Sequence, residues 1–221
     1  ILAMLVKDYM TRHPVMISPE TPASEAQKLM IENRVRHLPV VGDGKRVLGL
    51  ITRGSLRVPP TDLGSLNVWE ISRFLSNLQV KDMMVKGKDL ITVLPDETLE
   101  FAAQKMINNK VGCLPVVEDK IVIGIITEVD MLAELSDLLG GNVSGVRVTI
   151  RVPDKVGEYA KITKTIADNG WGIATSGGVP SPKRPGFYDV VTKVRDAPKD
   201  ELVSVLEKIE GHVIIDAREV T

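Results

Sequence analysis

Cysteine is nearly missing from this 221-residue chain, which carries Cys113 alone. One thiol excludes an intramolecular disulfide and any metal site built from several cysteines, and a reducing compartment is expected. Excess charge is missing too. The 28 basic and 29 acidic residues leave a formal net charge of −1, so no overall field draws the chain to nucleic acid or to an acidic membrane. No apolar run approaches the ~20 residues that span a bilayer, and residues 1–9 lack the basic start and long apolar stretch of a secretion signal. A cytoplasmic protein is expected. Catalytic signatures are missing as well. His13, His37 and His212 are scattered, with no metal-ligand spacing to carboxylates. There is no GxxxxGK[ST] phosphate loop and no GxSxG nucleophile elbow. A protein that is no enzyme, and that holds neither cofactor nor metal, is the expectation.

What the chain does contain is a repeat of about 75 residues, the first feature to seek because missing one miscalls the fold. "VKDYM" (residues 6–10) returns as "VKDMM" (80–84), and "HLPVV" (37–41) returns as "CLPVV" (113–117). "GLITRGSL" (49–56) returns as "GIITEVDM" (124–131). Each copy reads as strand, helix, strand, strand, helix. In the second copy Leu99, Ala102, Ala103 and Met106 follow the spacing of one apolar helical face. Asp43-Gly44 is a hairpin signal. The boundaries are residues 1–58 and 80–136 for the two copies, with a helical bridge over 59–79 whose Ile71, Phe74, Leu75 and Leu78 form another apolar face. Neither copy buries enough apolar surface alone, so the two should pack together.

"DLLGGNVSG" (137–145) is rich in turn residues, and the repeat stops there. Val146, Val148, Ile150 and Val152 then alternate along a strand. A helix with Ile162 and Ile166, strands near 173–179 and 187–194, a helix with Leu202 and Leu206, and a last strand over 213–217 give the order βαββαβ across residues 146–221. That order is ferredoxin-like, and the fold class is α/β (α+β). Between its middle strands lies a proline-rich loop with Lys183 and Arg184 at its tip.

The paired "HLPVV"/"CLPVV" strands and "GLIT"/"GIITEVD" corners resemble a tandem pair of CBS domains. "VPDKVGEYAKITKTIADNGWGI" (152–173) and the βαββαβ order resemble an ACT domain, with Val156 where such domains usually have proline. The combination is similar to the AcuB-type (acetoin utilization) CBS–ACT proteins. These resemblances imply a homodimeric regulatory protein with clefts for an adenosine-containing ligand between the repeats, and an amino-acid site in the ACT domain. The ligand would be an adenine nucleotide (AMP, ADP or ATP) or S-adenosylmethionine, and the regulated partner is not named by the sequence.

The two corners differ in one informative way. Thr127 sits where a helix N-cap belongs and Asp130 three residues on, a spacing that resembles a capping box and needs no ligand. The same helix start can instead attract phosphate, and the CBS resemblance implies that Thr127 donates to a phosphate oxygen and that the Asp130 carboxylate accepts from both ribose hydroxyls. The first corner has Thr52 but Ser55 in place of the aspartate, which weakens its ribose clamp. By resemblance, the main site adds Ile91, Thr92, Gly112, Cys113, Leu114 and Pro115 to Thr127 and Asp130. The weaker site is expected to combine Ser18, Arg36, His37, Pro39, Thr52 and Ser55, with Arg36 a fork of donors suited to phosphate. Cys113 reads as a small apolar residue rather than a redox centre. In the ACT domain Asp154, Gly157, Asn169 and Gly170 are the amino-acid candidates. The alternative function is a dimeric interaction scaffold whose ligand sites have degenerated.

Overall fold

A computed structural model of the chain describes residues 4–56 and 77–220. The proposed helical face at Ile71, Phe74 and Leu75 lies outside the described residues. Two compact units divide the chain, Ile1–Met131 and Leu132–Thr221. Among the described residues no helix is long and apolar enough to cross a membrane.

In the first unit each copy opens with a single helical turn, α1 (Val6–Tyr9) or, in the second copy, α3 (Val80–Met83). The same device starts both. The third helical residue turns its carboxylate back to the residue before the turn, with Leu5 N–H donating to Asp8 at 3.3 Å and Gln79 N–H to Asp82 at 3.1 Å. Such a bond satisfies one of the orphan donors of a helix start. Short strands follow, β1 (Thr11–Arg12) and β4 (Val85–Lys86). The main elements of the first copy are α2 (Ala23–Glu32), β2 (His37–Val41) and β3 (Val47–Thr52). Those of the second are α4 (Leu99–Asn109), β5 (Cys113–Glu118), β6 (Ile121–Thr127) and α5 (Glu128–Leu138).

The copies exchange their first elements. β1 pairs antiparallel with β6 of the second copy, and β4 pairs with β3 of the first. Val6 and Met10 accordingly bury among Leu99, Ala102, Met106, Leu114 and Ile126, while Val80 buries among Ala26, Met30, Leu38, Val40 and Ile51. Each such aliphatic contributes about 1.5–3 kcal/mol through apolar area removed from water. Gly49 and Gly124, which open the repeated "G-[LI]-I-T" motif, are required by this exchange. A Cβ at Gly49 would lie 2.7 Å from both Met84 Sδ and the Val85 carbonyl, and one at Gly124 would collide with Met10. The glycine that marks the corner in sequence is the gap through which the other copy's first strand lies close.

Thr98 caps α4 by accepting from Phe101 N–H at 3.2 Å. Leu99, Ala102 and Met106 on that helix are buried as their spacing predicts. At the β2–β3 turn, Gly44 adopts φ +63°, the left-handed backbone that the Asp-Gly pair signalled. The copies meet through Leu50, Cys113 and Ile125, with Leu90 beside them.

The second unit is β7 (Gly145–Pro153), α6 (Glu158–Asp168), β8 (Gly172–Pro180), β9 (Phe187–Arg195), α7 (Lys199–Glu207) and β10 (Val213–Val220), the expected βαββαβ order. Its sheet runs β10-β7-β9-β8, antiparallel throughout. Val146, Val148, Ile150 and Val152 alternate inward against Ile162 and Ile166 of α6 and Leu202 and Leu206 of α7. The β8–β9 connection is shorter than its prolines suggest. Strand pairing reaches Pro180 opposite Tyr188, Ser181 N–H donates to the Phe187 carbonyl at 2.9 Å, and Arg184 stacks 4.5 Å over the Phe187 ring.

Candidate functional site

Both corners are built by the same hydrogen bonds. A strand ends at Thr52 or Thr127, the next residue bonds back to the start of the partner strand, and a helical turn begins. Arg53 N–H donates to the Arg36 carbonyl at 2.9 Å, and Glu128 N–H donates to Gly112 at 3.0 Å. In the second corner Asp130 Oδ2 accepts from Thr127 N–H at 2.7 Å and from Thr127 Oγ1 at 2.8 Å. Both bonds use one carboxylate oxygen. Asp130 Oδ1 makes no bond among the described residues and stays available.

In the first corner Ser55 Oγ accepts from Thr52 N–H at 2.8 Å and donates to the Thr52 carbonyl at 2.9 Å. Thr52 Oγ1 in turn accepts from Ser55 N–H at 3.0 Å. The serine therefore reproduces the cap and leaves no second oxygen.

Two clefts flank the Leu50–Ile125 contact. One, of about 410 Å³, is lined by Pro14, Val15, Arg34, Arg36 and His37 of the first copy and by Thr127, Glu128 and Asp130 of the second. The other, of about 360 Å³, is lined by Arg36, His37, Thr52 and Arg53 of the first copy and by Ile91, Lys110, Gly112, Cys113 and Glu128 of the second. Both have the size of small-molecule sites.

This arrangement crosses the sets expected from sequence. Ile91, Gly112 and Cys113 lie in the cleft of Thr52, while Thr127 and Asp130 share theirs with Arg36 and His37. The cause is the face-to-face contact through Leu50, Cys113 and Ile125, which sets the helix start of one copy against the strand start of the other.

Several expected residues line neither cleft. Leu114 is fully buried in the core of its own copy. Pro39 and Pro115 are buried with their carbonyls accepting from Ile17 and Val93 N–H. Ser18 is exposed and donates to Glu20 at 2.6 Å. Thr92 and Ser55 also stand outside both linings. Sequence reasoning missed Arg34, Arg53, Lys110 and Glu128. The signal was present, since Arg53 and Glu128 occupy the same place after the corner threonine and Arg34 and Lys110 the same place before the strand.

The electrostatics follow from these neighbours. Burial pushes the Cys113 thiol up to about 12, with the Glu128 carboxylate adding to the shift. A thiol in that state is a poor nucleophile. His37 is lowered, first by burial and then by Arg36, against a smaller opposing pull from Glu128. It is neutral at pH 7.

In the second unit Asp154, Lys155, Glu158, Tyr159, Gly178 and Tyr188 border a cleft of about 290 Å³ at the start of α6. Gly157 holds the position before the helix with φ +92°, a backbone favouring glycine. Asn169 and Gly170 lie at the opposite end of α6, about 16 Å along its axis at 1.5 Å per residue, and Asn169 is occupied in donating to the Thr165 carbonyl at 2.8 Å. The chain does not bring these two pairs together. Glu158, buried, bonds His212 Nε2 at 2.7 Å and Lys161 Nζ at 2.8 Å. Those bonds, the lysine's foremost, hold its carboxyl below the usual range.

A profile of the CBS-domain family matches residues 6–58 and 80–137, half of the chain. The chain belongs to the CBS-domain family. The chain is 33% identical over 122 residues to homoserine O-acetyltransferase of Methanosalsum zhilinae, covering 55% of this chain and 22% of the relative. It spans less than half the length of that relative and of the Methanocaldococcus jannaschii sulfurtransferase that acts on L-aspartate semialdehyde (28% identity, 62% of this chain and 23% of the relative). Among solved structures, a Vibrio cholerae protein classed as an acetoin utilization protein (AcuB) matches with TM-score 0.52 and 30% identity over 63% of this chain and 95% of that one. CBSX2, a CBS-pair protein of Arabidopsis thaliana solved in complex with AMP, matches with TM-score 0.50 and 25% identity over 61% and 98%.

Proposed function

We propose that this CBS pair is a non-catalytic sensor of an adenosine-containing ligand, bound in the cleft of Thr127 and Asp130. The observation that carries the reading is the free Oδ1 of Asp130, beside an oxygen already committed to the helix cap. A carboxylate that caps with one oxygen retains an acceptor for ribose hydroxyls. Arg34 and Arg36 in the same cleft suit a phosphate. AMP in the related CBSX2 supports an adenine nucleotide, and S-adenosylmethionine is the other ligand class the family resemblance offers.

α5 starts at the Thr127 corner, and its later residues belong to the second unit. The second unit serves as an ACT domain, with an amino-acid site at Asp154 and Gly157, in a homodimer of the AcuB type that acts on a separate regulated protein. A ligand regulates such a protein only by binding two of its conformations with unequal affinity.

The test is thermal unfolding with AMP, ADP, ATP, S-adenosylmethionine and a set of amino acids. At about 100 times its dissociation constant a ligand adds roughly 2.7 kcal/mol, a rise of several degrees in Tm. The reading requires a shift with an adenine compound that disappears in Asp130→Ser, a change that keeps the cap. A second reading, a dimeric scaffold with degenerate sites, draws on the saturated Ser55 hydroxyl in the other corner. It becomes the better one if no compound shifts the wild type.

A further inference from the structure

Arg36, His37 and Glu128 line both clefts and form the ridge between them. The place equivalent to Arg36 in the second copy is Gly112, so the pair of clefts has one arginine on that ridge where an even duplication would have two. Among the described residues the Arg36 guanidinium has no ion pair or hydrogen bond, and the side chain is exposed. It is free to turn either way.

From this geometry we infer that Arg36 is a phosphate ligand shared by the two clefts, so that phosphorylated adenosine ligands bind them anti-cooperatively while uncharged adenosine does not. This rests on the reading of the Thr127 cleft as an adenosine site and takes the Thr52 cleft as a second, weaker one. A phosphate in the Thr127 cleft draws Arg36 to it and leaves Glu128 facing the Thr52 cleft without a compensating cation from the ridge. A second phosphate then meets a carboxylate and the charge of the first ligand. Each cleft keeps cations of its own, Arg34 in one and Arg53 and Lys110 in the other, so the second phosphate is weakened rather than excluded. Asp130 lines the Thr127 cleft and has no carboxylate counterpart in the corner of the Thr52 cleft; that inequality acts on ribose and is common to adenosine and AMP, which makes adenosine the internal control.

The experiment is titration calorimetry of the full chain with AMP and with adenosine, comparing the ratio of second to first dissociation constants. Charge-assisted hydrogen bonds to a phosphate correspond to about tenfold or more in affinity, so the ratio for AMP should exceed that for adenosine by about tenfold. Arg36→Ala, at an exposed and unpartnered side chain, should abolish that excess and weaken the first AMP by a similar factor without changing adenosine. Gly112→Arg should also reduce the excess, by giving the Thr52 cleft its own ridge cation. The three atoms nearest a Cβ at Gly112 all belong to the flexible Glu128 carboxylate, the closest at 3.2 Å. Equal ratios for AMP and adenosine in the wild type overturn the coupling and leave the adenosine sites standing. A single adenosine per chain also overturns the coupling and leaves the Thr127 cleft as the one site. Failure of both ligands to bind removes the site reading and this inference with it.

Discussion

Asp130 holds Thr127 at two points with a single oxygen, taking the backbone N–H at 2.7 Å and the hydroxyl at 2.8 Å on Oδ2. Ser55 holds Thr52 in the same place with its only oxygen, which both accepts from the backbone N–H and donates to the carbonyl. The pairs are equivalent as caps and unequal as ligand groups. Asp130→Ala should therefore cost about 1 kcal/mol of stability from the lost cap, whereas Asp130→Ser should cost a few tenths. Both should lose the ligand-induced rise in Tm. Urea unfolding with and without AMP separates the two roles, and Asp130→Ser retaining full ligand response would refute the division of labour between the oxygens.

Gly124→Ala should destabilise the first unit by about 1–3 kcal/mol, the scale of overpacking in a filled core, because its Cβ meets Met10 and the Thr11 carbonyl at 3.1 Å. Gly44→Ala, whose Cβ meets nothing within 4 Å, should instead show only the smaller cost of a left-handed turn. Denaturant midpoints of the two variants compare the mechanisms directly.

Cys113 should resist alkylation at pH 7–8 in the folded protein. Its thiol is pushed up to about 12, against about 8.5 for a free cysteine. Reaction with a thiol reagent should become fast only in denaturant, and rapid labelling under native conditions would contradict the burial that places Cys113 against Leu50 and Ile125.

Glu158 gives a pH prediction with a definite sign. Its carboxyl is held below 4.5 by Lys161 and His212, so the folded state favours the ionised form. That contribution is fully present above about pH 4.5 and is lost as pH falls through the folded value. Glu158→Gln should lower stability most at neutral pH, and the gap between variant and wild type should narrow on acidification below pH 4.5. A gap independent of pH would mean that the variant loses packing alone.

The repeat, the order of elements and the capped corners were legible because each rests on local chemistry. Helical spacing gave Leu99, Ala102 and Met106, alternation gave Val146 to Val152, and Asp-Gly gave the turn at Gly44. The crossing of the clefts was not legible. Cys113 and Thr127 sit opposite one another on paired strands, and sequence order groups them in one site. Only the packing of Leu50 on Ile125 decides which helix start faces which strand. Arg53 and Glu128 went unseen for the same reason, as their role depends on what stands across the gap. At α6, spacing put Asp154 and Asn169 at opposite ends of a helix, and in a single chain that distance stands.

The exchange of first strands also constrains how this chain comes into being on a ribosome. Thr11 and Arg12 are made before their pairing partners, Ile125 and Gly124, which emerge roughly a hundred residues later. At 5–20 residues per second the delay is about 5–20 s, during which a single helical turn and an unpaired strand wait for a sheet not yet synthesised. The first copy likewise stays unfinished until Val85 and Lys86 arrive to complete its edge. Each copy's sheet is completed by a strand from the other, so a chain ending between them would leave the β3 edge of the first copy without its partner strand.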